Sequence, residues 1–281
     1  MTMIPDIPVE RFAAFSNGDH GGNPAGVMIC NTFPEPSVMQ RLAAEIGYSE
    51  TVFAMPDSGD WRVRYFAPAM EVPFCGHATI ALGAALAARQ GDGHFRLQLK
   101  NGQATVEGRT SGRLTRATLQ SPPTTMKIVP PAYLSKALDL FGWSSTDLDP
   151  HIPPAIISAG ANHLLLALNN RESLRDMTYN LDAGKTVMDA ESLATIMIIF
   201  SETAQRFHAR NPFAAGGVYE DPATGAAAAA LGGYLREIHW PHGGNITIIQ
   251  GEDMGIPCQL DVEITDIPGA SIRVGGCVRR L

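Results

Sequence analysis

Residues 77–88 read His-Ala-Thr-Ile-Ala-Leu-Gly-Ala-Ala-Leu-Ala-Ala, a helix-forming run without a polar face. A helix that is apolar all round cannot lie on a surface, so other elements must surround it. Short strand-like segments stand on both sides. Residues 51–54 and 61–66 are β-branched and aromatic, and the turn-forming Pro56-Asp57-Ser58-Gly59 between them predicts a hairpin. Residues 95–99, 104–107 and 114–119 predict further strands, punctuated by Asn101-Gly102 and Ser111-Gly112. A conventional amphipathic helix is expected over 37–46. Pro34 and Pro36 precede it, Ser37 is the candidate N-cap, Met39, Leu42, Ala43 and Ile46 share one face, and Gly47 ends it. The expectation is an α+β fold in which strands curve into a barrel around a buried helix.

The second half repeats the plan. Aligning residues 75–86 with 224–235 superimposes Gly76 on Gly225, Leu82 on Leu231, Gly83 on Gly232 and Leu86 on Leu235. Upstream, residues 22–29 and 160–167 are both glycine turns running into an apolar strand. Alanine-rich helices can match by chance, but two matches in the same order point to duplication. Two pseudo-symmetric domains follow, parted near Ser121-Pro122-Pro123: residues 1–122, to which a terminal strand at 271–281 returns, and residues 123–270.

Composition removes several classes. With 45% hydrophobic and 17% charged residues the chain is not disordered, and a net charge of -7 with scattered basic residues excludes nucleic acid as a partner. Residues 1–15 lack the continuous apolar core of an export signal, and the apolar stretches at 78–88 and 225–231 fall short of the roughly 20 residues of a membrane span. Cys30, Cys75, Cys258 and Cys277 have neither disulfide-framework nor zinc-knuckle spacing, so a soluble cytoplasmic protein is expected. No phosphate loop, dinucleotide fingerprint or nucleophile elbow is present, and the histidines show no metal-ligand spacing. Any chemistry is expected to need no cofactor and no metal.

The candidate residues gather at the helix starts. Gly76 and Gly225 each open a buried helix, where free N–H groups and the positive dipole end favour an anion. If the two domains face one another, both termini would serve one small carboxylate, although glycine also simply starts helices. Glu50, at the mouth of an apolar strand, is a partly desolvated carboxylate suited to acid–base work. The aligned region around 194–199 has no carboxylate. Cys75, placed before Gly76, can act as base or nucleophile, and its counterpart is Thr224. His77 can hydrogen-bond substrate or shuttle a proton, His163 is expected to approach the cleft, and Asp221 either binds substrate or caps the second helix.

Together these segments resemble the PhzF-like family of phenazine-biosynthesis isomerases, similar in fold to diaminopimelate epimerase and proline racemase. The matching segments are Gly22-Asn23-Pro24-Ala25, Tyr48-Ser49-Glu50-Thr51-Val52-Phe53, Phe66-Ala67-Pro68 through Glu71 to Thr79, and Glu220-Asp221-Pro222-Ala223-Thr224-Gly225. They occur in family order over nearly the whole chain. The resemblance implies a diaminopimelate epimerase-like fold, a homodimer, and an isomerase in which the glutamate matching Glu50 carries a proton. It also implies that His77 and Asp221 hold the substrate, with Asn23, Cys75, Gly76, Gly225 and Ala226 around it. The best-characterised reaction of the family is isomerisation of trans-2,3-dihydro-3-hydroxyanthranilate. Two departures bear on the substrate: Ala226 replaces a substrate-contacting serine, and Arg210-Asn211-Pro212-Phe213-Ala214 breaks the arginine, gap, phenylalanine, gap, proline pattern.

Three functional readings follow. The first is a cofactor-independent isomerase of a small carboxylate with Glu50 as general acid and base. The second is an epimerase or dehydratase of a small amino or imino acid with Cys75 as base, and the third is a non-catalytic anion-binding protein.

Overall fold

The computed structural model describes residues 8–100, 102–112 and 114–281. The start of the N-terminal segment considered above, residues 1–7, and the turn residue Asn101 lie outside the described residues. The chain divides into one unit comprising Met1–Gln120 with Gly275–Leu281 and a second comprising Ser121–Val274.

In the first unit, β1 (Glu10–Ser16) and β2 (Asn23–Ile29) form an antiparallel pair, and α1 (Pro36–Ile46) leads to β3 (Glu50–Asp57), which runs parallel to β2. β4 (Asp60–Phe66) returns antiparallel, carrying the two-residue β5 (Glu71–Val72) on its edge. After α2 (Gly76–Gln90), β6 (Gly93–Leu99) lies parallel to β4 and continues through β7 (Gly102–Ser111) and β8 (Leu114–Gln120) as a meander. The chain's last strand, Arg273–Arg280, sits beside β8 and pairs antiparallel with β1, closing the ring of strands.

That ring encloses α2. Every residue from His77 to Ala87 is buried, and the helix packs on β1, β2, β3, β6, β7 and β8. Contact on all sides is possible because the side chains are small. A Cβ on Gly108 of β7 would stand 2.3 Å from the Gly83 carbonyl oxygen and 2.8 Å from the Ala87 Cβ, while one on Gly83 would stand 2.5 Å from Val106. Helix and strand backbones therefore meet where neither has a side chain.

Two local expectations are corrected. Ser37 is not the N-cap of α1: the helix begins at Pro36, and the Glu35 carbonyl accepts the Val38 and Met39 N–H groups. Proline at the first helical position has its φ preset and lacks the N–H that a cap would satisfy. Gly47 does end the helix, in the left-handed region at φ 74°. In the hairpin, Pro56 and Asp57 remain in β3, and the turn is Ser58-Gly59 with φ of 53° and 93°. Two consecutive left-handed residues match the twist of tightly joined strands.

The second unit opens with β9 (Thr125–Ile128), α3 (Pro131–Phe141), β10 (Ala155–Ser158) and β11 (Asn162–Leu168). Next come α4 (Arg171–Arg175), α5 (Leu181–Ala190), β12 (Thr195–Thr203), β13 (Arg206–Arg210) and the short pair β14 (Pro212–Phe213) and β15 (Val218–Glu220). α6 (Gly225–Glu237), β16 (Asn245–Gln250) and β17 (Cys258–Glu263) complete it. The sheet order is β9-β10-β11-β12-β13-β16-β17. From β10 onward the pairings run antiparallel, parallel, antiparallel, parallel, antiparallel, the same succession found from β1 to β7. α6 is buried from Ala227 to Arg236 and touches β9, β10 and β11 at one end of the sheet and β17 at the other, so the sheet wraps it. Gly232 faces Val262 of β17, with a Cβ 2.8 Å away, as Gly83 faces Val106 of β7. The same number of positions separates Gly83 from Gly232 as Gly76 from Gly225. The repeat is thus one of packing as well as composition.

The sequence reading did not anticipate the outer layer of the second unit. Tyr133, Ala137 and Leu138 of α3, Leu174 of α4 and Met188 of α5 form a second core with Leu164, Leu166, Ile196 and Ile198. These strands are buried on both faces, which is why they read as unbroken apolar runs. No helix among the described residues is long and apolar enough to cross a membrane.

Replacing Gly108 by alanine forces a methyl group against a backbone carbonyl and should cost about 3 kcal/mol or more. Chemical denaturation should show this loss, whereas Gly112→Ala, with open space around its Cα, should show only the smaller cost of its positive φ.

Candidate active site

The first unit places Glu50, Cys75, Gly76 and His77 together. Glu50 is the first residue of β3, beside Ala25 of β2 in the parallel register, and its side chain keeps 20% of its surface exposed. Cys75 occupies the N-cap position of α2 without a side-chain cap bond, so the first N–H groups of the helix have no intrahelical partner. His77, one residue into the helix, is 6% exposed. Its Nε2 lies 3.4 Å from a Glu50 carboxylate oxygen and 3.3 Å from the Ser49 hydroxyl, and its Nδ1 lies 3.3 Å from the Cys75 sulfur. The imidazole bridges a thiol and a carboxylate, an arrangement that lets a proton pass between the groups.

The start of α2 is anchored from beneath. The Thr79 hydroxyl donates to the Cys75 carbonyl at 2.7 Å, so the Tyr65 hydroxyl is the donor in its 2.6 Å bond to Thr79. Burial pushes the Tyr65 phenol well above its ordinary range, keeping it protonated for that role. Gly76 has open space where a Cβ would stand, so the backbone at the helix start is not shielded by a side chain. Asn23, the first residue of β2, is 2% exposed and lies two positions before Ala25.

In the second unit, Asp221, Thr224, Gly225 and Ala226 surround the start of α6. The N-cap is Thr224, so Asp221 is not the cap. Its carboxylate accepts the Thr224 hydroxyl at 2.7 Å and braces the turn ahead of the helix. Gln250, at the end of β16, locks the same turn. Its amide nitrogen donates to the Asp221 carbonyl at 2.7 Å and its oxygen accepts the Thr224 N–H at 3.1 Å. Gly225 and Ala226 are partly exposed.

Sequence reasoning missed Ser49, Gln250 and the Arg210–Glu220 pair. Gln250 was detectable as a polar residue closing the apolar run Ile246-Thr247-Ile248-Ile249. Arg210 and Glu220 form a buried ion pair, with the Arg210 Nε and one terminal nitrogen reaching the carboxylate at 3.0 and 2.6 Å. The other terminal nitrogen donates to the carbonyls of Arg175 and Met177 at 2.9 and 3.1 Å. The pair holds the segment leading into Asp221, and nothing in residue spacing announces it. His163 is corrected: it is 1% exposed, a core residue bonded through Nδ1 to the Thr195 hydroxyl at 2.7 Å. Its Nε2 has no partner among the described residues, and burial depresses its pKa to about 4.

The relatives of this chain include proteins named as isomerases. A Deinococcus radiodurans protein described as an uncharacterized isomerase is 32% identical over 96% of this chain and 92% of its own. The trans-2,3-dihydro-3-hydroxyanthranilate isomerase of Pseudomonas aeruginosa is 31% identical over 88% of this chain and 86% of its own. The crystal structure of a phenazine biosynthesis protein of the PhzF family from Bacillus anthracis superimposes with a TM-score of 0.85 at 24% identity, covering 98% of this chain and 97% of the other. The two-unit, helix-in-sheet architecture is the diaminopimelate epimerase-like fold expected from the sequence, and the protein is an isomerase. The chain belongs to the phenazine biosynthesis-like (PhzC-PhzF) family, whose model matches residues 12–278.

The buried His163 generates a pH prediction. Its folded pKa lies below the ordinary value of about 6.5, so both states are neutral above that pH and stability is complete there. As pH falls from 6.5 toward 4 only the unfolded chain takes up the proton, and stability should drop by roughly 3 kcal/mol. Urea unfolding at several pH values should show this decline in the native protein and its disappearance in His163→Gln.

Proposed function

We propose that this protein is a cofactor-independent isomerase that moves a proton on a small carboxylate substrate, with Glu50 as the general acid and base. His77 holds the substrate and backbone N–H groups beginning at Gly76 receive negative charge, while Asp221 and Gly225 are the corresponding candidates at the start of α6. The observation that carries this reading is the Glu50–His77 contact beside the bare first turn of α2. A partly exposed carboxylate, a buried imidazole and unshielded N–H donors are what proton abstraction next to a carboxylate requires. The dihydrohydroxyanthranilate isomerase activity of the Pseudomonas aeruginosa relative makes that compound the first substrate to test. Ala226, standing where a serine was expected, favours a substrate with one fewer polar group to be met there.

A second reading is favoured by one distance. Cys75 lies 3.3 Å from His77 Nδ1, a spacing that suits a thiolate base in an epimerase or dehydratase of a small amino or imino acid. The two readings separate by substitution. A thermal-shift screen of small carboxylates, amino acids and dihydroaromatic acids, followed by NMR of each hit in deuterated water, supplies the assay. With Glu50 as base, Glu50→Gln should lower kcat by about 10²–10⁴-fold with little change in ligand binding, and Cys75→Ala should retain turnover. Full activity in Glu50→Gln refutes the first reading, and full activity in Cys75→Ala refutes the second.

Gly76→Ala tests the anion-binding role of the helix start. The site has room for the methyl group and no unusual φ, so denaturation should be nearly unchanged. Ligand-induced thermal stabilisation should be reduced about tenfold in apparent affinity, because the methyl group keeps an anion from the N–H groups.

A further inference from the structure

His77 meets its neighbours through different nitrogens. Nδ1 lies 3.3 Å from the Cys75 sulfur, while Nε2 lies 3.4 Å from a Glu50 carboxylate oxygen and 3.3 Å from the Ser49 hydroxyl. With the proton of the neutral ring on Nε2, facing those oxygens, Nδ1 is left to accept the thiol proton. A carboxylate beside an imidazole that in turn faces a thiol is the orienter, base and nucleophile of acyl-transfer enzymes, a set recognised by roles rather than by chain order. Such chemistry also requires donors for an oxyanion. Cys75 is the N-cap of α2 and no side chain caps the helix, so the Gly76 and His77 N–H groups follow directly on the thiol without an intrahelical partner. The positive end of the helix favours negative charge on the same sulfur. Cys75 is 8% exposed, whereas Phe74 is exposed, Gly76 is half-buried and a Cβ on Gly76 would meet open space. The sulfur is therefore approached from the Gly76 side, and a thiol this buried suits a small acyl group rather than a peptide.

We propose that Cys75 is a nucleophile with His77 as its base, giving this protein a thiol-dependent hydrolytic activity toward small activated acyl compounds, esters or thioesters. Nδ1 takes the thiol proton as the sulfur bonds to the acyl carbon, and the first N–H groups of α2 receive the negative charge that develops on the carbonyl oxygen. As the carbonyl re-forms, the bond to the alcohol or thiol leaving group breaks, and that group takes the proton from Nδ1. Water then attacks the thioester formed on Cys75 and gives a proton to Nδ1. The Cys75 sulfur leaves with that proton, and the carboxylic acid is released. This activity goes beyond the proton transfer proposed above and does not rest on it: there Glu50 carries the proton, here Glu50 faces the other side of His77 and the sulfur does the bonding.

The probe is p-nitrophenyl acetate, mixed with the whole folded protein. The native chain should release p-nitrophenolate beyond one equivalent, and mass spectrometry after acid quenching should find the acetyl group on Cys75 ahead of the more exposed Cys277. Cys75→Ala should remove the release, and His77→Gln should slow acetylation by about 10²-fold or more. Cys277→Ser, which removes a thiol outside the cluster, should leave the release intact. Acetylation of Cys277 ahead of Cys75, release that ends at one equivalent, release that persists in Cys75→Ala, or an unchanged rate in His77→Gln overturns the proposal. If His77→Gln does not fold, the comparison of Cys75 with Cys277 in the native chain still decides. The isomerase reading is scored separately, by turnover of its own substrate in Glu50→Gln, and Cys75→Ala divides the two activities because it should lose acyl transfer while keeping isomerisation.

Discussion

The fold depends on burying helices that have no polar side. α2 carries alanine, glycine, leucine and isoleucine around its whole circumference, so every direction perpendicular to its axis must be covered. A flat sheet covers one direction; a ring of strands covers all of them. The ring can close tightly because Gly83 and Gly108 let helix and strand backbones meet. α6 poses the same problem, and Gly232 serves there against Val262 as Gly83 serves against Val106. Small residues are therefore the means of close packing here, not filler.

A helix sealed on its sides meets its surroundings only at its ends. Polar chemistry is confined to the first turn, where unpaired N–H groups are unavoidable. The two units treat this constraint differently. At α6 the polar side chains are committed to structure: Asp221 braces Thr224, and Gln250 holds both. At α2 the polar side chains contact one another instead, with His77 between Cys75 and Glu50. The two helix starts are alike in backbone, and at the first of them a thiol, an imidazole and a carboxylate lie in contact.

Rigidity near the second helix start has an electrostatic source. The Arg210–Glu220 pair is almost wholly buried, and charges removed from water must be matched donor for acceptor. Arg210 meets that demand by also donating to the carbonyls of Arg175 and Met177, tying the loop after α4 to the strand before Asp221. Removing one partner of such a pair typically costs about 3–5 kcal/mol because the other charge is left stranded.

Much of the plan was legible in the sequence because it rests on periodicity and on glycine. The apolar run at 77–88, its partner at 225–231, the break near residue 121 and the hairpin strands are local patterns, and the α+β architecture follows from them. The candidate site was legible by motif, since Glu50, Cys75, Gly76 and His77 lie in short segments whose order resembles a known family. What failed had a competing local solution: Pro36 made a serine cap unnecessary. Of the two alternatives for Asp221, the capping one is removed because Thr224 holds that position. The outer helices of the second unit were missed because their strands are apolar on both faces and carry no alternation to read.

By itself, the sequence determined that two helices must be enclosed, where each begins, and which chemically capable side chains stand near those beginnings. Only the tertiary structure decided that His77 touches both Cys75 and Glu50, that Gln250 locks the turn before α6, and that His163 is a core residue. Helix burial is dictated by composition along a short stretch, whereas these contacts join residues as far apart as Glu50 and His77, whose meeting depends on how the strands curve.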